Sequence, residues 1–311
     1  MKIIHNIENY KEKTGTVVSI GSFDGVHLGH QELIRRMNTI AKQHNLRSVI
    51  VSFSPHPRIF FNPETDLKLL TTDSEKTALL SKTGLNDFII QDFNRDFANQ
   101  SPDEFIHLLV KQLKMKDLYM GYDHHFGKNR KGSFAYIQSL ESRYNFKTHQ
   151  IDAVVKNEKN ISSTIIRKTL HNGDISLANS YLGYEYFITG EVVSGNKLGR
   201  QLGFPTANIS VKNSYKLIPK QGVYVVYAEI DKQKVFGMMN IGFRPTINGK
   251  KQIKEVHFFD FNQEIYGQKI KVHFIKRLRD EQKFSSLEAL QKQLQKDEIH
   301  ARNEIQNYLN S

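Results

Sequence analysis

The sequence predicts two domains, an α/β domain with a doubly wound parallel sheet and a small antiparallel β-barrel with a C-terminal helix. Three observations lead to this prediction. The chain has 311 residues, more than one hydrophobic core usually organises. Strand-like and helical patterns alternate in the first half, whereas closely spaced strand-like runs fill most of the second. We place the boundary within residues 181–186, which gives domains at 1–183 and 184–311.

Two apolar, β-branched runs predict buried strands near the start of the chain, at residues 16–20 and 47–53. Between them, apolar residues recur at helical spacing from Leu33 to Ala41, which predicts an amphipathic helix. A strand, a helix and a further strand in this order form the repeating unit of a parallel sheet.

The same unit recurs further along the first half. Strand-like runs at 87–90 and 117–120 flank a helix that begins after Ser101. Pro102 suits the first helical position, and Glu104 completes a capping box with Ser101. Repeated units of this kind predict a parallel sheet covered by helices on both faces.

The second half contains strand-like runs separated by short polar or glycine-containing turns. These runs are 223–230, 234–241, 255–261 and 269–278. Their close spacing predicts an antiparallel sheet closed into a small barrel. A long amphipathic helix follows, opened by a second capping box at Ser285 and Glu288. Its predicted buried stripe consists of Leu287, Leu290, Leu294 and Ile305.

The amino-acid composition excludes several classes of protein and of functional site. The chain is 39% hydrophobic and 24% charged, as globular proteins are, and no run approaches the roughly 20 apolar residues that span a bilayer. The N-terminal segment lacks the pattern of a signal peptide, so a cytoplasmic location without a membrane partner is expected. The chain has no cysteine, which excludes disulfide scaffolds, thiolate zinc sites and cysteine nucleophiles.

The formal charge of +12 indicates a polyanionic ligand, either a nucleic acid or a phosphorylated small molecule. Lysine and arginine are scattered along the chain, which favours a solvated basic surface with a few phosphate-binding positions. We therefore do not expect a nucleic-acid partner. The sequence leaves open whether the protein forms a homo-oligomer.

A glycine-rich segment links the first predicted strand to the first helix. Glycines let the backbone approach a ligand closely, and the N-terminus of a helix attracts anions, so this segment predicts a phosphate site. His27 and His30 can donate to phosphate oxygens there, as catalytic residues. The residues expected to bind ATP phosphates in this segment are Gly21, Phe23, Asp24, Gly25 and Gly29.

Two other interpretations of the histidines are a metal-binding pair and ordinary surface residues. A zinc site needs a third protein ligand, which is not found nearby at the usual spacing. The P-loop and GxGxxG fingerprints are also absent from the segment. Phosphate binding is therefore the favoured interpretation.

The HxGH element and the longer string GSFDGVHLGHQ resemble the FAD synthetase branch of the nucleotidylyltransferase superfamily. The string ISSTIIR at 161–167 resembles a second element of that branch. The resemblance implies that Arg167 holds the phosphates that leave as pyrophosphate. Ser162, Ser163 and Thr164 would bind phosphate at the start of the same helix, although simple capping of that helix also explains the serines.

Two further segments resemble the flavin side of that site, namely FSPHP at 53–57 and GYDHHFG at 121–127. The resemblance implies flavin contacts from Pro55, His56 and Asp123. His124 stands where this family usually has phenylalanine.

A second glycine-rich segment precedes the sequence GFPTAN in the second half. Gly195, Lys197, Gly199 and Arg200 form a flexible basic loop suited to polyphosphate. The Thr206 hydroxyl, with Asn208 beside it, could bind the Mg²⁺ that accompanies ATP. A glycine-rich barrel turn with structural Thr and Asn is the alternative. The whole string resembles the riboflavin kinase signature.

A carboxylate near the reacting hydroxyl would complete such a site. Glu255 lies in a segment that resembles the family's EVHxxxF…YG pattern, where the glutamate is the general base on the 5′-hydroxyl of riboflavin. Asp260 is predicted to be structural, on the opposite face of the strand, and His257 to be a wall residue. By resemblance Arg279 belongs to a flap over the flavin, although this charged run also suits a solvated turn.

Together the motifs imply a bifunctional enzyme with a nucleotidylyltransferase-type first domain. It would phosphorylate riboflavin to FMN with ATP and then adenylylate FMN to FAD, with Mg²⁺ in both steps and flavins as substrates and products. Three alternatives remain at this point. They are a synthetase-like RNA-binding protein, an enzyme with only one working site, and a regulator that binds flavin without turnover.

Overall fold

The computed structural model describes residues 1–121, 133–156, 158–195, 198–246 and 249–310. These residues divide into two compact units, Met1–Ser163 and Thr164–Ser311. Throughout the described ranges, the helices are too short or too polar to cross a lipid bilayer.

The first unit is built on a parallel sheet. Its strands are β1 (Lys2–His5), β2 (Thr16–Ile20), β3 (Arg47–Ser54), β4 (Asp87–Asp92), β5 (Met115–Gly121) and β6 (Lys147–Ile151). In the described residues they lie in the order β1-β4-β3-β2-β5-β6, and each neighbouring pair is parallel. A separate antiparallel pair consists of β7 (Val155–Lys156) and β8 (Lys159–Asn160).

Helices cover both faces of this sheet. They are α1 (Leu28–Gln43), α2 (Pro57–Phe61), α3 (Asp73–Leu80), α4 (Arg95–Asn99), α5 (Pro102–Leu113), α6 (Phe134–Ser139) and α7 (Glu141–Tyr144), with a 3₁₀ turn at Ile7–Asn9. Neighbouring residues of β2 point to opposite faces, so Val18 packs with Leu109 of α5 and Val17 packs with Ile34 of α1. The two separate cores confirm the predicted doubly wound α/β fold.

The strand order of the first sheet reverses at β2. From β2 the chain adds β3 and then β4 on one side, and β5 then pairs with the other side of β2. Ligands of open α/β sheets bind at such a reversal, outside the carboxyl ends of the strands. The segment that follows Ile20 therefore lies at the expected ligand-binding edge.

The second unit contains a closed antiparallel barrel, as predicted. Its strands are β9 (Phe187–Val193), β10 (Ala207–Ser210), β11 (Gly222–Ile230), β12 (Gln233–Thr246), β13 (Gly249–Phe258) and β14 (Lys269–Arg279). Their order around the barrel is β10-β13-β12-β11-β14-β9. The helices α8 (Ser163–Asn172), α9 (Ile175–Leu182), α10 (Leu198–Gln201) and α11 (Leu287–Leu309) complete the described elements.

The division between the units falls at residues 163/164, whereas the sequence predicted a boundary at 183/184. The reason is that α8 and α9 pack with the barrel. The Asn179 amide donates to the Phe274 carbonyl at 2.9 Å and accepts from the Tyr186 N–H at 2.8 Å. The backbone N–H of Lys220 also donates to the carbonyl of Leu170 in α8.

The predicted helix starts have different outcomes. Ser101 and Glu104 form the capping box of α5, as predicted. The predicted capping box of α11 is wrong, because Ser286 rather than Ser285 is the N-cap and accepts from the N–H of Ala289. Leu287 is 52% exposed, since it lies at the first position of the helix and outside the cluster that holds Ile305.

The strand predicted at 255–261 also ends earlier than expected. β13 ends at Phe258, because Asp260 has a φ of 54°, which breaks the extended conformation. Asp260 is instead bound to Arg302 of α11, with oxygen–nitrogen distances of 2.8 and 3.1 Å. Its predicted placement on the opposite face of the strand is therefore wrong.

Candidate active sites

The loop of residues 21–27 connects β2 to α1 at the carboxyl edge of the first sheet. Phe23, Gly25 and Val26 have φ angles of 47°, 84° and 38°. Positive φ is unfavourable for phenylalanine and more so for β-branched valine, at about 1–3 kcal/mol for each such residue. Such a conformation persists only when the surrounding structure fixes it.

Asp24 is one of the groups that fix this loop. Its buried carboxylate accepts hydrogen bonds from the N–H groups of Leu70 and Thr71, both at 3.0 Å. The Thr71 hydroxyl, 3.2 Å from the same carboxylate, accepts from the N–H of Gly25 at 3.1 Å. Asp24 thus anchors the loop to the segment before α3, and its predicted phosphate contact stays a prediction.

The histidines predicted to be catalytic lie together at the start of α1. His27 is the N-cap residue, and its ring stacks on that of His30 with a centroid separation of 3.7 Å. The Phe23 ring packs against His30 at 4.9 Å. A methyl group at Gly29 would lie 3.2 Å from the His27 ring, so glycine leaves the space that the ring occupies.

The segment at 161–163 reaches the same loop. The Ser163 hydroxyl donates to the backbone carbonyl of Asp24 at 2.8 Å. The structure therefore joins Ser163 to the histidine-containing loop within the first unit. Thr164 and Arg167 lie in α8 beyond the unit boundary, and Ser162 precedes that helix. The phosphate contacts of these residues stay predictions.

The predicted flavin residues of the first unit lie at a neighbouring strand end. Pro55 and His56 follow β3, and the His56 ring accepts from the N–H of Arg58 at 3.2 Å as the cap of α2. Capping gives His56 a structural role beside the predicted one. Asp123 and His124 lie outside the described residues.

An aromatic cluster at this edge was missed by the sequence analysis. Phe93, directly after β4, makes edge contacts with Phe53 and Phe60 at centroid distances of 5.6 and 5.4 Å. Phe61 extends the cluster and is 68% exposed. An exposed aromatic surface suits a flat aromatic ligand. Only the fold brings these rings together, because Phe53 lies in β3 and Phe93 directly follows β4.

In the barrel, three polar residues lie side by side on neighbouring strands. Glu255 of β13 pairs with Asn208 of β10 on one side and with Asn240 of β12 on the other. Directly paired residues of antiparallel strands point to the same face, about 5 Å apart at their Cβ atoms. The structure therefore brings the predicted base next to the predicted metal ligand. The sequence analysis missed Asn240, which no motif singled out.

Two glycines of the predicted phosphate loop contact this face. A methyl group at Gly195 would lie 2.7 Å from Cγ of Asn208, so the Asn208 amide occupies the space next to the glycine. A methyl group at Gly199 would clash with the backbone carbonyl of Phe204 and lie 3.4 Å from the Thr206 side chain. Both glycines are thus needed for close packing beside the predicted metal ligands. Arg200 is exposed, and Lys197 lies outside the described residues.

The remaining predicted residues of the barrel have clear partners. The His257 ring contacts the Pro205 carbonyl, with 2.8 Å between Nδ1 and the oxygen, which agrees with its predicted role as a wall residue. Arg279 makes a bidentate ion pair with the buried Asp297 of α11, with a shortest distance of 2.6 Å. This ion pair joins β14 to α11 and gives Arg279 a structural role. Its flavin contact stays a prediction.

The charged run after β14 contains a carboxylate, Glu281, to which the sequence analysis gave no role of its own. A methyl group at Gly242 would lie 2.8 Å from Cδ of Glu281, so this side chain lies over the glycine. Gly242 is two residues from Asn240 on β12 and therefore shares its face. The preceding Asp280 is fixed by Arg277, whose hydrogen bond lowers the pKa of that carboxyl. Part of the charged run thus turns toward the face of Glu255.

Comparisons with known proteins cover both units. A family model described as FAD synthetase matches residues 9–165, and one described as riboflavin kinase matches residues 182–305. A bifunctional riboflavin kinase/FMN adenylyltransferase of Haemophilus influenzae is 40% identical over 300 residues, covering 96% of this chain and 97% of that protein. The protein of the same name from Bacillus subtilis is 37% identical over 310 residues, covering 97% of both chains.

A solved structure described as a macrolide-efflux protein from Streptococcus pneumoniae shares the fold over nearly the whole chain. Its TM-score is 0.89 at 33% identity, and the alignment covers 97% of this chain and 99% of that one. Its description differs from those of the curated relatives. The family models and the full-length relatives agree with the motifs and with both folded units, and the chain belongs to the family of bifunctional riboflavin kinase/FMN adenylyltransferases.

Proposed function

We propose that this protein makes FAD from riboflavin in two ATP-dependent steps, one in each folded unit. The observation that carries the proposal is that each family match falls on a unit whose geometry suits its chemistry. The first unit has a phosphate-type loop at the reversal point of its sheet. The second has a carboxylate between two amides on a barrel face. We assign the activities to 1–183 and 184–311.

In the barrel, Glu255 accepts the proton of the riboflavin 5′-hydroxyl as the oxygen attacks the γ-phosphorus of ATP. The bond from that phosphorus to the β,γ-bridging oxygen breaks, and ADP leaves. Thr206 and Asn208 supply neutral oxygen atoms of the kind that Mg²⁺ binds, and the contact between Asn208 and Gly195 holds one of them in place. These oxygen atoms would hold Mg²⁺, which would supply positive charge to offset the negative charge of the ATP phosphates.

In the first unit, a phosphate oxygen of FMN attacks the α-phosphorus of a second ATP. The bond to the α,β-bridging oxygen breaks and pyrophosphate leaves. No general base is needed, because the attacking phosphate oxygen is already ionised. His27 and His30 donate to the phosphates at the start of α1. The aromatic cluster around Phe93 offers a surface for the flavin ring. Because both steps consume ATP, we infer a cytoplasmic location.

The direct test is to incubate the purified full-length chain with ATP and MgCl₂, adding riboflavin to one sample and FMN to another. Chromatography of the flavins should show FAD in both samples and an FMN intermediate in the first. If riboflavin gave FMN and neither sample contained FAD, the test would support only the kinase activity. Tight flavin binding without turnover would support the regulator instead.

Replacing His30 by Ala should slow the conversion of FMN to FAD by about 10²-fold, the effect of removing one donor to a developing phosphate charge. The conversion of riboflavin to FMN should be unchanged, because His30 lies in the other unit. Both rates can be measured on one preparation, and circular dichroism checks that the variant is folded as the unaltered chain is. Equal loss of both activities in a folded variant would contradict the assignment of one reaction to each unit.

Replacing Gly195 by Ala should strongly impair riboflavin phosphorylation, because the new methyl group occupies the place of the Asn208 amide. The comparison with Asn208→Ala makes this prediction specific. If displacement of Asn208 is the cause, Gly195→Ala should add little in the Asn208→Ala background. Fully additive losses of kcat would show that Gly195 acts by another route.

A further inference from the structure

Lys76 is a buried lysine that neither motif contains. It lies in α3, and only 7% of its surface is exposed to solvent. Burying an ammonium group is unfavourable by several kcal/mol unless hydrogen bonds and opposite charge compensate it. A lysine in such a place is held by specific partners, and those partners indicate its role.

The partners of Lys76 belong to the phosphate-type loop and its support. Its Nζ donates to the backbone carbonyl of Ser22 and to the hydroxyl of Ser52, both at 3.2 Å. The Ser52 hydroxyl also donates to the Ser22 carbonyl, at 3.2 Å. The ammonium therefore lies beneath the first turn of the loop, at the carboxyl end of the sheet.

These contacts fix the direction of one peptide group. The Ser22 carbonyl points toward Lys76 and Ser52, and in a trans peptide the following N–H points the opposite way. The N–H of Phe23 is therefore directed away from Lys76 and Ser52. Phe23 has a φ of 47°, and this unfavourable conformation needs support from its surroundings.

The charge of Lys76 acts mainly at short range. Asp73 lies 3.3 Å from Nζ and also accepts from the Ser54 hydroxyl at 2.7 Å. The opposite charge of Asp73 reduces the field of the ammonium at a distance, whereas the directional hydrogen bond to Ser22 persists. Lys76 therefore affects the loop more through the hydrogen bond that orients the Ser22 carbonyl than through its positive charge.

We infer that Lys76 is a positioning residue for adenylyl transfer, which holds the Ser22–Phe23 peptide so that the Phe23 N–H faces the phosphates of the nucleotide. This inference rests on the proposed function of the first unit. It assigns a role to a residue that touches neither substrate. Loss of the ammonium should lower the rate of the chemical step rather than the affinity for FMN.

The first test compares Lys76→Met with Lys82→Met, which removes an exposed lysine shortly after the same helix. In Lys76→Met we expect kcat for FMN adenylylation to fall by about 10–100-fold, less than for loss of a direct donor, with KM for FMN unchanged. The kinase rate should not change in either variant. Wild-type kcat in Lys76→Met, alongside an active wild-type enzyme, would overturn the inference.

A second test separates charge from shape, and the absence of cysteine from the chain makes it possible. Lys76→Cys carries a single thiol, which can be alkylated in urea before refolding. Bromoethylamine restores an ammonium at nearly the original distance, whereas iodoacetamide adds a neutral group of similar size. We expect the aminoethylated form alone to regain FAD synthesis, with the kinase rate reporting refolding of the second unit and circular dichroism that of the whole chain. Equal FAD synthesis by both forms would overturn the inference, even if Lys76→Met were too unstable to assay.

The two tests also distinguish this inference from the proposed function. If the unaltered chain made no FAD from FMN, the proposed function of the first unit would fail. If the unaltered chain made FAD and the Lys76 variants did so equally well, only the positioning role would fail.

Discussion

Replacing Glu255 by Gln is expected to slow riboflavin phosphorylation by about 10²–10⁴-fold, the usual contribution of a general base. Glutamine keeps the size of the side chain and its neighbours Asn208 and Asn240, but it cannot take the proton of the attacking hydroxyl. Some activity should remain, because positioning and charge neutralisation contribute most of the catalysis of phosphoryl transfer. The conversion of FMN to FAD should be unaffected.

The measurement is the initial rate of ADP formation with riboflavin, followed by the rate of FAD formation with FMN on the same sample. Asp260→Asn is the matched control, since Asp260 lies close in sequence but is exposed and bound to Arg302. This variant should keep the kinase rate. A Glu255→Gln enzyme with wild-type kinase activity would exclude Glu255 as the base.

Replacing Asp87 by Ala is expected to lower the free energy of unfolding of the first unit by about 3 kcal/mol. Asp87 is fully buried and binds Nε and Nη2 of Arg47, both at 2.6 Å. Removing one partner of a buried ion pair costs about 3–5 kcal/mol, because the other charge loses its compensation. We expect the lower end of that range, since the Arg47 side chain is 30% exposed and can reach water.

Tyr10 adds a second partner to the same carboxylate, at 3.1 Å. Burial, and then the negative charge of Asp87, raise the pKa of Tyr10 well above its usual value. Its hydroxyl therefore stays a neutral donor to Asp87 at neutral pH. The variant would leave this buried hydroxyl without its acceptor, which adds to the loss of stability.

Urea unfolding followed by circular dichroism measures this effect, with the kinase rate reporting the second unit. The control is Glu12→Ala, which removes the more exposed ion pair with Lys2 and should lower the free energy of unfolding far less. If both variants lost the same free energy of unfolding, the ion pair between Asp87 and Arg47 would contribute no more stability than a surface ion pair.

The regular elements with strong local patterns could be predicted from the sequence. The strand at 16–20 matches β2, and the capping box at Ser101 marks the start of α5. The elements that were missed have weaker patterns. β1 contains a single buried residue at the edge of the sheet, and Gly190 and Glu191 interrupt the apolar pattern of β9.

The residues of the candidate sites also differ in how well the sequence predicted them. Motifs identified the residues that lie close together in sequence, such as His27 and His30. They gave no sign of Lys76 or Asn240 and no separate role to Glu281, because these residues reach the sites through contacts between distant segments. Lys76 meets Ser22 across 54 positions of the sequence. Contacts of this kind depend on strand order and register, which a local pattern does not contain.

The anchoring of the loop at 21–27 has a consequence for protein synthesis. Ser52, Thr71, Lys76 and Ser163 hold this loop from segments that leave the ribosome at widely separated times. A nascent chain that ends before Ser163 lacks one of these supports, while the unfavourable φ angles of Phe23 and Val26 remain. We therefore expect the loop to be among the last parts of the first unit to become ordered, so that a partly made chain does not yet bind nucleotide productively.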